Sequence, residues 1–102
     1  MLIREKDKKN IIELASKSIK TSSEIWAFGS RVNGDAHDMS DLDLVIVPSD
    51  DGRLNINELV DFKDSLRESN IPIIVQVMDW GRIPQSFHDN ILKNYEVMVK
   101  LK

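Results

Sequence analysis

The sequence has no cysteine, four glycines and three prolines in 102 residues. Without cysteine there is no disulfide framework and no thiolate zinc site. There are no repeats, no low-complexity tracts and no linker long enough to divide the chain, so residues 1–102 read as a single domain. No apolar run exceeds four residues, as at Leu44–Val47, and nothing is expected to span a membrane. The opening Met1-Leu2-Ile3-Arg4-Glu5 lacks the apolar segment of a secretory signal, which makes a cytoplasmic protein the expectation. Basic residues are not in excess: 14 Lys+Arg stand against 17 Asp+Glu, a net charge of −3. That balance argues against general DNA or RNA coating, which needs a basic face. What is present is ordinary for a globular chain, 41% apolar and 30% charged, too apolar for disorder. A chain of this size buries one modest core and has room for one site.

Hydrophobic periodicity predicts a helix over residues 5–21, with Ile11, Ile12, Ala15 and Ile19 on one stripe and Lys8, Lys9, Glu13, Lys17 and Lys20 on the wet side. Glu24–Phe28 is short, bulky and aromatic and reads as a strand. Residues 30–34 suit a turn of helix, and Asn33-Gly34-Asp35 is a turn signal. Asp41–Val47 is the clearest strand, stopped by Pro48. A polar loop follows to Asn55. Residues 57–69 read as a helix carrying Leu59, Phe62 and Leu66, with Asn70 and Pro72 ending it. Ile71–Asp79 is rich in β-branched residues and reads as a third strand. Pro84 suits a helix first turn, with Phe87, Ile91, Leu92 and Tyr95 as its stripe. The tail 96–102 is either more helix or a short extended end. Strands interleaved with helices predict an α/β (α+β) domain, a small sheet of three or more strands flanked by helices.

The chemistry concentrates in residues 26–47. Gly29-Ser30 follows a strand directly, ten residues separate Ser30 from Asp41, and Asp41 and Asp43 stand at i and i+2 where an apolar strand begins. Alternation puts both carboxylates on one face, roughly 6.5–7 Å apart along the strand, with Leu42, Leu44 and Ile46 on the other. Two carboxylates on one face repel unless a cation lies between them or each has its own partner. Oxygen-only ligands with open positions suit Mg²⁺, which completes its shell with water and substrate phosphate. Glycine lets the backbone approach a phosphate, exposed N–H groups and the Ser30 hydroxyl can cradle it, and Arg31 can hold phosphate charge. Either half alone is commonplace, since most Asp-x-Asp strand starts and Gly-Ser turns are structural. Their order and spacing together are far more specific.

The segment resembles the signature of the nucleotidyltransferase superfamily typified by DNA polymerase β. The whole chain, over residues 10–98, resembles the minimal nucleotidyltransferases, bare catalytic domains of bacteria and archaea. The resemblance is carried by Trp26-Ala27-Phe28-Gly29-Ser30-Arg31, Ser40-Asp41-Leu42-Asp43-Leu44 and the strand running from Pro72 to Asp79-Trp80. It implies a mixed sheet of the polymerase β palm type, two Mg²⁺ ions, and transfer of a nucleoside monophosphate (AMP above all) from ATP or another NTP to a hydroxyl. It also implies roles: Gly29 and Ser30 on the triphosphate, Asp41 and Asp43 as metal ligands and catalytic residues. It further implies an all-helical companion subunit of the HEPN or substrate-binding type, in some pairs a toxin–antitoxin partner. A homo-oligomer is a further possibility, and Leu2, Ile3, Val97, Val99 and Leu101 are candidate interface positions or simply terminal residues.

One position departs from the family. Its third carboxylate falls at Gln76, inside Val75-Gln76-Val77. Alternation groups Gln76 with Ile74 and Met78, and Asp79 with Val75 and Val77, so Asp79 does not replace the missing carboxylate without a bulge or register slip. An amide oxygen can ligate Mg²⁺ but is neutral and accepts no proton. Apolar neighbours predict that Gln76 is buried beside the site. Two outcomes stay open: transfer persists, supported by Gln76 with a nearby acid such as Asp79, or the domain holds nucleotide and works by complex formation.

The remaining polar residues have plain readings. His37, beside Asp35 and Asp38, reads as a solvated loop histidine, and His88 as half-exposed in the last helix. Trp26 and Trp80 read as packing residues at strand positions, Met78 and Met98 as core fillers. Asp50-Asp51-Gly52 reads as a solvated turn, and Asp61 and Asp64 as a wet helix face.

Overall fold

The computed structural model describes residues 3–34, 41–50 and 52–101. Two amphipathic helices build one layer. Helix α1 (Glu5–Ser18) buries Ile11 and Ala15, and Ile19 beyond its end is also buried. Helix α3 (Ile56–Arg67) buries Leu59, Phe62 and Leu66. Asn55 caps α3, its side chain accepting from the N–H of Asn57 at 2.8 Å, which satisfies one of the helix's orphan donors. Glu58 in the first turn of α3 ties the two helices together. It accepts hydrogen bonds from the N–H of Lys20 (2.6 Å), the N–H of Thr21 (3.0 Å) and the Thr21 hydroxyl (3.1 Å).

The second layer is a four-stranded sheet made of β1 (Ser23–Phe28), β2 (Leu42–Pro48), β3 (Val75–Asp79) and β4 (Tyr95–Leu101), in the order β3-β2-β1-β4. β1 runs antiparallel to β2 and to β4, while β2 and β3 are parallel through the α3 crossover, so the sheet is mixed. A short helix α2 (Ser30–Asn33) links β1 to the segment before β2, a 3-10 turn (Trp80–Arg82) follows β3, and α4 (Gln85–Lys93) precedes β4. No helix among the described residues is long and apolar enough to cross a membrane.

Strand alternation divides the sheet into two faces. Ile25, Ala27, Leu42, Leu44, Ile46 and Val77 are buried with α1 and α3 residues such as Ile11, Ala15 and Phe62 in one core. Removing the fully buried Phe62 side chain would cost about 3–5 kcal/mol, a large share of such a domain's stability. The opposite face carries Trp26, Phe28, Asp43, Val45, Gln76 and Met78.

Helix α1 ends at Ser18, short of the expected residue 21, with Ile19 already extended, and the elements depart from the sequence expectations at three further places. Residues 71–74 are not strand; Pro72 has no N–H to donate, and pairing with β2 begins at Val75, just after the Ile74 carbonyl accepts from Leu42 at 2.9 Å. Trp80 leaves the strand to open the 3-10 turn. Tyr95 does not belong to the last helix: α4 ends at Lys93, Asn94 turns extended, and residues 95–101 form the fourth strand. A bulge sets β4 in place, since Ile25 pairs with Val99 and Trp26 with Val97, leaving Met98 as the extra residue, turned into the core. Of the candidate interface positions, Val97 is exposed, Leu101 is buried and Ile3 and Val99 pack partly against the core; Leu2 lies outside the described residues.

Candidate active site

The registers place one row of side chains across the open face. Phe28 pairs with Tyr95 on one side and Asp43 on the other, and Asp43 pairs with Gln76. The row therefore reads Tyr95–Phe28–Asp43–Gln76, with neighbouring strands about 4.8 Å apart. Asp41 stands one residue ahead of β2 on the same side as Asp43, half-buried, with the adjacent Leu42 N–H bonded to the Ile74 carbonyl. Asp41, Asp43 and Gln76 thus converge at one end of the sheet. Gln76 is exposed, not buried as its apolar neighbours suggested: Ile74 on the same side is also exposed, and nothing covers this margin of β3 among the described residues.

Gly29 closes the site from below. It has φ +82 and ψ −157, a combination open essentially to glycine, and it caps α2 through its carbonyl, which accepts from Val32 and Asn33 at 3.0 Å each. A Cβ built there would overlap Oδ2 of Asp43. The backbone at Gly29 therefore lies directly against the Asp43 carboxylate, whereas the sequence motif pointed to close approach of a phosphate. Ser30 opens α2, half-buried, and its carbonyl accepts from Gly34 at the helix end.

Electrostatics mark the same point. Burial, and then the like charge of Asp41, push the Asp43 carboxyl above its ordinary range. Two carboxylates so placed are a donor set that a divalent cation would relieve. Among the described residues no group of three His, Cys, Asp or Glu side chains comes together, in keeping with an amide at the third position. The residues that could hold Mg²⁺ are Asp41 and Asp43, with Gln76 beside Asp43 in the strand register.

Other expected residues lie elsewhere. Arg31 is buried and lines a pocket with Ile3, Arg4, Asp7, Pro72 and Ile73, between the start of α1 and the loop ahead of β3. There it adds to the pull of Arg4, whose side chain hydrogen-bonds Asp7 (2.9 Å), and the Asp7 carboxyl is held below its ordinary range. Asp79 cannot serve in place of the third carboxylate. Its side chain is fully buried on the other face, bonded to Leu54 N–H (3.0 Å), Gly81 N–H (3.3 Å) and the Arg82 guanidinium (2.9 Å). Asp50 accepts from Gly52 N–H in a local turn, and Asp64 pairs with Arg67 on the wet side of α3, as read. Ser40, the turn residue Asp35, the loop residues His37 and Asp38, and Asp51 lie outside the described residues.

Sequence reasoning missed what borders the site. Trp26 stacks on Tyr95 (centroids 4.3 Å) and meets Trp80 edge-on (5.3 Å), and Trp80 stacks on His88 (3.8 Å). The His88 ring also hydrogen-bonds the Trp80 carbonyl through Nε2 (2.7 Å). These contacts hold α4 over the open face. A cleft of about 400 Å³ is left between α4 and the β1–α2 junction, with Phe28, Gly29, Phe87 and Asn90 among its walls. An Asn94–Asn33 side-chain hydrogen bond joins the two walls. The signal in the sequence is Phe87, Asn90 and Asn94 at helical spacing, a polar edge beside an aromatic.

The mixed sheet, the helix layer on one face and the Gly-Ser/Asp-x-Asp corner on the other define the polymerase β-like nucleotidyltransferase fold. The comparisons agree. The family model "Polymerase beta, Nucleotidyltransferase" matches residues 9–102. A Haemophilus influenzae protein named "Probable protein adenylyltransferase MntA" is 33% identical over 88 residues, 86% of this chain and 75% of that protein. A solved structure described as "Crystal structure of the toxin-antitoxin with AMP-PNP" superposes with a TM-score of 0.73 at 20% identity, over 90% of this chain and 72% of that one. A second, described as "Crystal structure of a putative nucleotidyltransferase from Sulfolobus solfataricus", gives a TM-score of 0.57 at 25% identity, over 93% and 78%. The chain belongs to the polymerase β nucleotidyltransferase family.

Proposed function

We propose that this protein transfers AMP from ATP to a hydroxyl of a protein acceptor, in a Mg²⁺-dependent reaction carried out with a helical partner subunit. The observation that carries the reading is the seat of Asp43: a half-buried carboxylate beside Asp41, against a glycine backbone that admits no Cβ. A phosphate brought beside these two carboxylates would need a cation between them. Asp41 and Asp43 would hold Mg²⁺, which when bound neutralises charge on the phosphates and orients them for in-line displacement. The Gly29-Ser30 backbone and hydroxyl would position the triphosphate. The acceptor oxygen bonds to the α-phosphorus, the bond to the bridging oxygen breaks, pyrophosphate leaves, and the hydroxyl proton goes to solvent. The adenylyl group and the protein acceptor follow the name of the 33% identical relative, and a two-component system fits the toxin–antitoxin fold neighbour.

The test is transfer of label from α-labelled ATP to co-purified protein in the presence of Mg²⁺. Labelling is expected, and its loss in Asp43→Asn. Labelling that survives in Asp43→Asn overturns the reading.

A second reading rests on one observation, the amide at Gln76 beside Asp43. A neutral group there removes a unit of charge next to a divalent ion and cannot take the acceptor proton. The protein would then bind nucleotide and act through its complex. Absence of labelling in the wild type, with labelling gained by Gln76→Asp, would favour this reading over the first.

A further inference from the structure

The cleft under α4 has a chemistry of its own. Gly29, the residue pressed against Asp43, is part of its lining, so the cleft adjoins the carboxylate corner. One wall is aromatic, from Phe28 at the end of β1 and Phe87 on α4, with Ile91 buried at its base. The rim is amide, from Asn33, Asn90 and Asn94, and among the described residues the only charge in the lining is the cation of Lys93. An apolar slot with amide groups at its edge suits a flat heteroaromatic ring, which stacks on the aromatic and hydrogen-bonds in its own plane. Asparagine in particular can pair with both N6 and N7 of adenine. At about 400 Å³ the cleft falls within the range of small-ligand sites and is too confined for a folded protein acceptor. The Lys93 cation fits a ligand that carries negative charge.

We propose that this cleft holds the nucleoside of the triphosphate, with Phe87 stacking on the base and Asn90 of α4 reading its edge. The inference rests on the nucleotidyltransferase reading and adds the element that selects the base. Phe87 is 42% exposed and Asn90 is exposed, so both can be truncated without opening the core.

The experiment is calorimetric binding of ATP, GTP and inorganic tripolyphosphate, each with Mg²⁺, to the full chain and its variants. Phe87→Ala is expected to weaken ATP by about tenfold, the loss typical of one base–aromatic stack, and to leave tripolyphosphate unchanged. Phe87→Tyr, which keeps the ring, should bind ATP like the wild type. Asn90→Ala should narrow the preference for ATP over GTP. ATP affinity unchanged in Phe87→Ala, with binding lost in Asp43→Asn, overturns the cleft assignment and leaves the nucleotidyltransferase reading standing. Equal weakening of ATP and tripolyphosphate in Phe87→Ala assigns the ring a purely structural role and also overturns it. A wild-type chain that binds neither ligand overturns both readings.

Discussion

Replacing Gly29 with alanine adds one methyl group at the point where the backbone meets the Asp43 carboxylate. Two costs follow. The backbone at φ +82 and ψ −157 is strained for any L-residue, by about 1–3 kcal/mol. For a domain of this size each kcal/mol lowers the melting temperature by about 4–8 °C. The second cost falls on the site. The new Cβ would overlap Oδ2 of Asp43, so the carboxylate must swing away from its place beside Asp41. A shift of about 1 Å in a positioning group can cost about a hundredfold in rate. Gly34→Ala is the internal control. Gly34 also has positive φ (+89), yet among the described residues nothing lies within 4 Å of a Cβ built there. It should lose about 1 kcal/mol of stability from left-handed strain and keep its nucleotide chemistry. The assay is thermal melting together with Mg²⁺-dependent transfer from ATP, measured well below each melting temperature. Gly29→Ala with wild-type transfer, or Gly34→Ala with an equal loss, would refute the reasoning.

Three further outcomes are expected. Asp43→Asn without metal should be at least as stable as the wild type at pH 7, because burial and the charge of Asp41 raise the Asp43 carboxyl and make its ionisation unfavourable in the fold; Mg²⁺ should raise the melting temperature of the wild type and not of the variant. Glu58→Ala should lose about 1–3 kcal/mol by urea unfolding at neutral pH. Burial pushes the Glu58 carboxyl up, but its hydrogen bonds from Thr21 and Lys20 together outweigh this and hold it below its ordinary value. That stabilisation is present above the unfolded-state value and is lost as pH falls through the folded one, so the gap between wild type and variant should close in acid. Asp79→Ala should cost about 3–5 kcal/mol by removing a fully buried partner of Arg82, and a loss under about 1 kcal/mol would contradict the structural role of its bonds to Leu54, Gly81 and Arg82.

The parts of the site that local pattern determines were legible in the sequence. Leu42, Leu44 and Ile46 alternate with Asp43, so period two alone put the carboxylate opposite the core, and the same rule put Gln76 with Met78 and away from Asp79. Alternation gives the face but not its depth. Gln76 is exposed because no element covers that margin of β3, a fact of tertiary packing. Arg31 follows Ser30 in sequence, but in a helix successive side chains turn by about 100°, and α2 carries Arg31 to the start of α1. Tyr95 satisfied two patterns at once, the stripe of Phe87 and Ile91 and the alternation of a strand. Pairing with Phe28, sixty-seven positions earlier (95 − 28), decided between them. Asp79 likewise takes one partner from afar, the Leu54 N–H 25 residues away, beside its near neighbours Gly81 and Arg82.

The central claim is that the Gly29-Ser30 backbone and the Asp41/Asp43 pair form one Mg²⁺–nucleotide site. A crystal structure of the chain with Mg²⁺ and a non-hydrolysable ATP analogue tests it most directly. The account predicts a metal ion on both carboxylates with the phosphates against Gly29 and Ser30. A nucleotide bound elsewhere, or at this corner with no metal touching Asp43, would contradict it.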